Sequence, residues 1–330
     1  MSNGKAKAYT NIALIKYWGK QDEDLIIPSN SSLSLTLDAF YTITNVSFSK
    51  NNQKDRFYLN KQLQNNQQSK KVYQFLDLVR KKAQTDLFAE VTSYNHVPTA
   101  AGLASSASGM AALAGACNEA LRLNLSNEEL SALARRGSGS ACRSIFGGFV
   151  EWEKGNSDSS SLAHQIESNH WEDQLAMIFI LVNDRPKTIS SRLGMQQTVK
   201  TSSYFPIWVK EAEKDLIIAK NAIANQDFEA LGKVSEANAL KMHATTLACE
   251  PPFSYWSPDS LRAMDEVRTL RQQGFSCYFT MDAGPNVKVL CQKNDAPAIL
   301  QELQKEFLPS QLIIANAGPG IEFLERNVSR

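Results

Sequence analysis

Apolar and polar positions follow two periods along this chain. Residues 33–37, Leu-Ser-Leu-Thr-Leu, alternate strictly and predict a half-buried strand. Residues 42–48 and 56–59 predict its antiparallel partners. A mostly apolar stretch over 8–20 ends in Tyr17-Trp18-Gly19-Lys20 and predicts a strand that runs into a loop. The run 175–182 predicts a fully buried strand. Elsewhere the spacing is helical. Val72, Phe75, Leu76 and Val79 share one face of a helix over 72–82, and the alanine-rich 107–118 predicts one buried helix. Ser126 and Glu129 form the capping box of a helix through Leu130 and Leu133 to Arg136.

Further on, 205–224, 228–243, 260–272 and 296–307 predict helices, with Pro251-Pro252 breaking the chain and Gly274 ending the third helix. Strands over 276–280, 287–290 and 311–315 are set among them, and 190–195 is a polar turn. The class is α+β. The mixture after residue 183 suggests a ferredoxin-like layer, and the domain boundary is expected there, giving 1–183 and 184–330.

Composition narrows the function classes. The 330 residues are 43% hydrophobic and 21% charged, enough for two cores. Net charge is +1, so no global field favours nucleic acid or a membrane surface, and an anion must be bound locally. The five cysteines (Cys117, Cys142, Cys249, Cys277, Cys291) form no Cys-x-x-Cys and suit reduced thiols, neither a disulfide framework nor a zinc site. Residues 1–8 contain no signal-peptide core, and 175–182 is too short to cross a bilayer. A soluble, cytoplasmic protein is expected.

The candidate chemistry centres on Pro98 to Ser108, Pro-Thr-Ala-Ala-Gly-Leu-Ala-Ser-Ser-Ala-Ser, followed by the alanine-rich helix. A helix start presents unpaired N–H groups and a partial positive charge, and a loop of small residues lets a phosphate approach them. Tight packing of a helix on a sheet would use the same small residues. No Walker A pattern occurs, and Gly137-x-Gly139 has Cys142 where a dinucleotide fingerprint needs glycine. Nucleotide binding would therefore use 98–108. A second small-residue loop, Gly137-Ser-Gly-Ser-Ala-Cys-Arg143, suits a second phosphate-bearing ligand. Lys16, Lys20, Arg143 and Arg192 sit at element ends. Asp282 lies in a tight turn where a carboxylate can face a cleft, although an Asx turn would also place an aspartate there.

Pro98-x-x-x-Gly102-Leu-x-Ser-Ser-Ala107 resembles the phosphate-binding signature of the GHMP small-molecule kinases. Residues 11–20, 137–143, 147–148, Met195, 251–252 and 281–286 resemble the diphosphomevalonate decarboxylase branch of that superfamily. Where most of these kinases carry a glycine-rich third motif, this chain has Asp282-Ala-Gly-Pro-Asn286. The resemblance implies a two-domain GHMP kinase fold, ribosomal protein S5 domain 2-like in the first half and ferredoxin-like in the second. It also implies ATP with Mg2+, mevalonate 5-diphosphate as substrate, and a homodimer. Phosphorylation of the 3-hydroxyl would precede loss of phosphate and CO2, yielding isopentenyl diphosphate. A kinase that stops at phosphorylation is the alternative within the superfamily, and a catalytically silent binding protein the alternative outside it.

Residue by residue, the resemblance places Asp282, Arg143 and Lys20 in catalysis. Around the substrate it places Tyr17, Trp18, Gly19, Lys20, Ser138, Gly139, Ser140, Ala141, Cys142, Arg143, Ser191, Arg192 and Met195. On the ATP side it places Ser93, Pro98, Ala101, Gly102, Leu103, Ala104, Ser105, Ser106, Ser108 and Lys71. Ser105 and Ser106 are the candidate Mg2+ contacts, since Mg2+ usually keeps water and substrate phosphates.

Overall fold

In the computed structural model, which describes residues 2–96, 105–182 and 189–325, the first half is built on one pair of long strands. Ser2–Ile15 runs antiparallel to Ser32–Ser49. The two strands expected over 33–37 and 42–48 are one. A register shift between Tyr9 and Asn11 carries the pairing past Asp38 and Ala39, because a bulge bends a strand without ending it. Phe88–His96 pairs the other side of Ser32–Ser49. Arg56–Leu59, expected to be antiparallel, runs parallel to Phe88–His96. The helix Asn66–Ala83 connects these two, as a parallel crossover requires. With Gln62–Leu63, Phe149–Trp152, Ala163–Gln165 and Glu322–Phe323, the described residues form an eight-stranded sheet.

The helix Ser105–Leu121 lies on this sheet, and its alanines allow unusually close approach. A Cβ on Gly4 would stand 2.2 Å from the Ala116 carbonyl oxygen, so the strand needs glycine at that point. Asn66–Ala83 and Asn127–Gly137 flank the central helix, and both begin with a capping box, at Asn65 and at the expected Ser126.

The second sheet runs in the order Cys277–Met281, Val287–Gln292, Leu175–Ile180, Leu312–Asn316, all antiparallel. Pro258–Gln272 and Ala296–Leu303 cover one face through Ala263, Val267, Ile299 and Leu303. This is the ferredoxin-like layer. The other face packs Leu175, Met177 and Phe179 against the helices Phe205–Ala224 and Phe228–Leu247 and against Leu35, Leu37 and Phe40 of the first sheet.

Two expectations shift here. The strand Leu175–Ile180, assigned to the end of the first half, is an interior strand of the second sheet, where an all-apolar run has both faces covered. By sheet membership the second half begins at Leu175, and the expected boundary at 183 lies outside the described residues. The polar turn at 190–195 is instead the start of the helix Ser191–Thr201, with the Ser190 side chain accepting from the Leu193 N–H.

Candidate active site

A cleft of about 630 Å³ opens between the halves, and its inner corner is built around Asp282. The first strand ends at Ile15, and the next residue is anchored on both sides. The Lys16 N–H donates to Asn238 Oδ1 at 2.8 Å, and its carbonyl accepts from Asn30 Nδ2 at 2.7 Å. The Lys16 side chain is buried, with Nζ donating to the Ala13 carbonyl at 2.7 Å and to Asp282 Oδ1 at 2.8 Å. Asp282 follows the strand Cys277–Met281 in a turn tied at three points. The Gly284 N–H donates to the Asp282 carbonyl, Ser260 Oγ to the Pro285 carbonyl, and the Val182 N–H to Asn286 Oδ1. Lys288 Nζ stands 3.2 Å from Asp282 Oδ2, so each carboxylate oxygen faces an ammonium group.

Electrostatics follow from this packing. Burial by itself would push the Asp282 carboxyl up, but the charges of Lys16 and Lys288 outweigh it and hold the carboxyl well below the usual carboxylate range. Burial pushes the Lys16 ammonium down to about 8 against the pull of Asp282, with Lys288 and Arg143 adding to the depression. Below the turn, burial and then the Lys16 charge push His243 down to about 3, so it stays neutral.

Arg143 projects from the tight turn Gly139–Ile145, which the helix Asn127–Gly137 delivers. It is buried, with Nε donating to Asn11 Oδ1 at 3.3 Å and Nη1 donating to Ser32 Oγ. Asn11 Nδ2 in turn donates to the Ser140 carbonyl and to Ser144 Oγ. The guanidinium lies 5.9 Å from the Trp152 ring centroid, and Tyr17 packs edge-on to the same ring. Gly139 belongs here because a Cβ would meet Trp152 and Tyr17 at 2.9 Å. The Tyr17 hydroxyl is buried without a partner among the described residues, and burial pushes its pKa far up, so it is a neutral hydrogen-bond donor.

The mouth of the cleft is wetter. Lys20 pairs with Glu23 at 2.7 Å, and Arg192, well exposed, reaches the same Glu23 oxygen at 4.0 Å. Lys71 enters from the side, its pKa lowered by burial and then by Arg192 and Lys20.

Most of the expected site residues meet at this cleft. Tyr17, Trp18, Lys20, Ser138, Gly139, Ser140, Arg143, Ser191, Arg192, Met195, Asp282, Lys71 and Ser106 all line it. Trp18 is also a core residue, packed with Trp208 and Tyr255. Gly19 serves the backbone: its φ is +95°, and a Cβ would run into Phe205. Ala141 and Cys142 turn inward and are fully buried. Ser93 and Ser108 stand off the wall, with their hydroxyls engaged by Thr44 and Thr42. Pro98, Ala101, Gly102, Leu103 and Ala104 lie outside the described residues, and Ser105 opens the helix Ser105–Leu121.

Sequence reasoning passed over Lys288 and Asn238. The signal for Lys288 was available, since a lysine inside the apolar run Val-Lys-Val-Leu is almost never buried without a charged partner.

Comparison with known proteins bears on the whole chain. Family models for the diphosphomevalonate decarboxylase-like N-terminal domain and the mevalonate 5-diphosphate decarboxylase C-terminal domain match residues 8–163 and 177–320. Diphosphomevalonate decarboxylase of Candida albicans is 36% identical over 323 residues, covering 93% of this chain and 89% of its own. A mevalonate diphosphate decarboxylase structure from Enterococcus faecalis, concerned with mevalonate diphosphate mediated ATP binding, has a TM-score of 0.95 at 59% identity, covering 98% of this chain and 99% of that one. MDDEF in complex with MVAPP, AMPPCP and magnesium has a TM-score of 0.96 at 60% identity over the same shares. The α+β fold is the two-domain GHMP kinase fold that the resemblance implied. With both halves matched by their own family models and relatives aligned over most of their length, the chain belongs to the diphosphomevalonate decarboxylase family.

Proposed function

We propose that the cleft carries out the ATP-dependent decarboxylation of mevalonate 5-diphosphate to isopentenyl diphosphate, with release of ADP, phosphate and CO2. The observation that carries the reading is the inner corner, where an ionised Asp282 stands between two ammonium groups in a cleft that Arg143 also lines. The complex of a close structural relative with MVAPP, AMPPCP and magnesium supports the choice of ligands.

The chemistry assigns the groups. Loss of CO2 needs a leaving group on the neighbouring carbon, and ATP supplies it by turning the tertiary 3-hydroxyl into a phosphate. Asp282 accepts a hydrogen bond from that hydroxyl and orients it. A carboxylate held this firmly in its charged form is a weak proton acceptor, so orientation and electrostatics are its main contribution. Lys16 supplies positive charge beside the developing phosphate. Arg143 binds the substrate carboxylate with N–H groups that Asn11 and Ser32 do not take. Because gripping a carboxylate also stabilises it, Arg143 acts through positioning more than through C–C cleavage.

Tyr17, Lys20, Ser138, Ser140 and Arg192 hold the diphosphate, and Ser106 and Lys71 take the nucleotide side. Among the described residues no group of three or more His, Cys, Asp or Glu side chains could hold a metal ion. Mg2+ would be carried chiefly by phosphate oxygens and water, with the Ser106 hydroxyl as an oxygen donor on the wall. Five buried free cysteines suit a reducing cytoplasm, and a homodimer is the assembly the family resemblance favours.

The test measures ADP and CO2 released from mevalonate 5-diphosphate with Mg-ATP. Equal amounts are expected from the wild type, with both reduced about 10³-fold by Asp282→Asn. ADP without CO2 would instead make this a kinase that stops at phosphorylation.

A further inference from the structure

Lys288 is a charged residue in a place built for apolar ones. It sits in the strand Val287–Gln292, opposite Phe179 on one side and Thr280 on the other. Its neighbours Val287 and Val289 point into the core beneath the helices Pro258–Gln272 and Ala296–Leu303. Lys288 points the other way and is 4% exposed. From there it reaches both ends of the catalytic turn. Its Nζ donates to the Asn286 carbonyl at 3.1 Å and stands 3.2 Å from Asp282 Oδ2. Lys16 holds the opposite oxygen, Oδ1, from the other half of the molecule.

We propose that Lys288 is a positioning residue for Asp282: it grips Oδ2 while Lys16 grips Oδ1, so the carboxylate meets the substrate ionised and in a single orientation. The inference rests on the reading of Asp282 as the catalytic carboxylate. A carboxylate held by one ammonium can rotate about its Cβ–Cγ bond and trade one oxygen for the other. One held by two ammonium groups arriving from separate elements cannot. The charge balance supports this division of labour. The other titratable and charged groups that act on Asp282 are Lys16 from the end of the first strand, Arg143 from across the cleft and neutral His243 from the helix Phe228–Leu247. None of them replaces Lys288 at Oδ2.

Removing the Lys288 charge therefore has a signature that simple loss of packing lacks. The Lys288 charge helps to depress the Lys16 ammonium, so with it gone Lys16 keeps its proton longer and the alkaline limb of the rate profile moves to higher pH.

The experiment follows ADP and CO2 release from mevalonate 5-diphosphate with Mg-ATP across about pH 5 to 9 for wild type, Lys288→Met, Lys288→Arg and Asp282→Asn. For Lys288→Met we expect kcat to fall about 10- to 100-fold, KM for both substrates to change less than about twofold, and the alkaline limb to shift upward. Lys288→Arg restores most of kcat and returns the limb towards the wild-type position. An unshifted alkaline limb with unchanged kcat in Lys288→Met, while Asp282→Asn is inactive, overturns this proposal and leaves the function standing. An active Asp282→Asn overturns the role of Asp282 and this proposal with it. Should Lys288→Met not fold, Lys288→Gln, which keeps a donor for the Asn286 carbonyl but carries no charge, is read by the same criteria.

Discussion

The inner corner of the cleft and its mouth carry the same kinds of charge and are built in opposite ways. At the corner, Lys16, Asp282, Lys288 and Arg143 are held by the protein itself, through Asn11, Ser32, Asn238 and the tied turn after Met281. At the mouth, Lys20 and Arg192 share one exposed partner, Glu23, and Arg192 is more than half exposed. Charges that must stabilise a reacting centre gain from being fixed beforehand, because no reorganisation is then needed during the reaction. Charges that capture a mobile polyanion gain from reach and solvation, which speed encounter and leave the ligand free to depart. In the proposed reading, fixation by the protein's own hydrogen bonds, more than residue type, separates the groups assigned to the reaction from those assigned to gather the substrate.

The largest effect that would break the comparison is at Arg143. A lysine there keeps the charge but loses the planar fork that donates to Asn11 and Ser32. Arg143→Lys should lower kcat/KM for mevalonate 5-diphosphate about 100-fold, and steady-state kinetics that show near wild-type activity would remove Arg143 from the fixed corner. Arg192→Gln should be milder: KM for the same substrate rises about 5- to 10-fold with kcat nearly unchanged, and the difference shrinks as salt is added. A large fall in kcat would move Arg192 into the reacting corner.

Smaller again is the effect of pH on Lys16. Its ammonium is pushed down to about 8 against the usual 10.5, so activity should decline as pH rises through about 8 and the cation beside Asp282 is lost. Between those values the unfolded chain binds the proton that the native state has released, so the Lys16 contribution to stability rises with pH in that window. Activity and this contribution therefore move in opposite directions, which a pH series of kcat and of denaturant midpoints checks together.

The smallest effect lies away from the cleft. Glu151, in the strand Phe149–Trp152, is buried between Lys220 of the helix Phe205–Ala224, at 2.6 Å, and His164, at 3.5 Å. The hydrogen bond to Glu151 raises the pKa of His164 above its usual 6.5. The His164 contribution is thus present below pH 6.5 and disappears as pH rises through the raised value. Because His164 is partly exposed, His164→Gln should cost less than about 1 kcal/mol at low pH and nothing measurable in mildly alkaline buffer, as thermal melts at the two conditions would show.

Local order made much of this protein legible from its residues. Helices repeat every few positions and carry their own start signals, so Ser126 with Glu129, the apolar face from Val72 to Val79 and the alanine-rich central helix were all evident. The small-residue turn ending in Arg143 and the Asp282 turn were also plain, because backbone approach and tight turns restrict residue type at the position itself. Strand partnership was not. Whether Arg56–Leu59 runs parallel or antiparallel, and which sheet receives Leu175–Ile180, depends on residues far along the chain that leave no local mark. The same holds for the site. Asp282 announced itself through its turn, whereas the role of Lys288 depends on a carboxylate that only the folded turn brings beside it, and the grip is completed by Lys16 arriving from the other half. Sequence by itself determined most of the helices, the cap at Ser126, the Asp282 turn and the chemical inventory. Tertiary structure decided the pairings, because hydrogen bonds between strands and charges meeting across a cleft form in space, where separation along the chain carries no information.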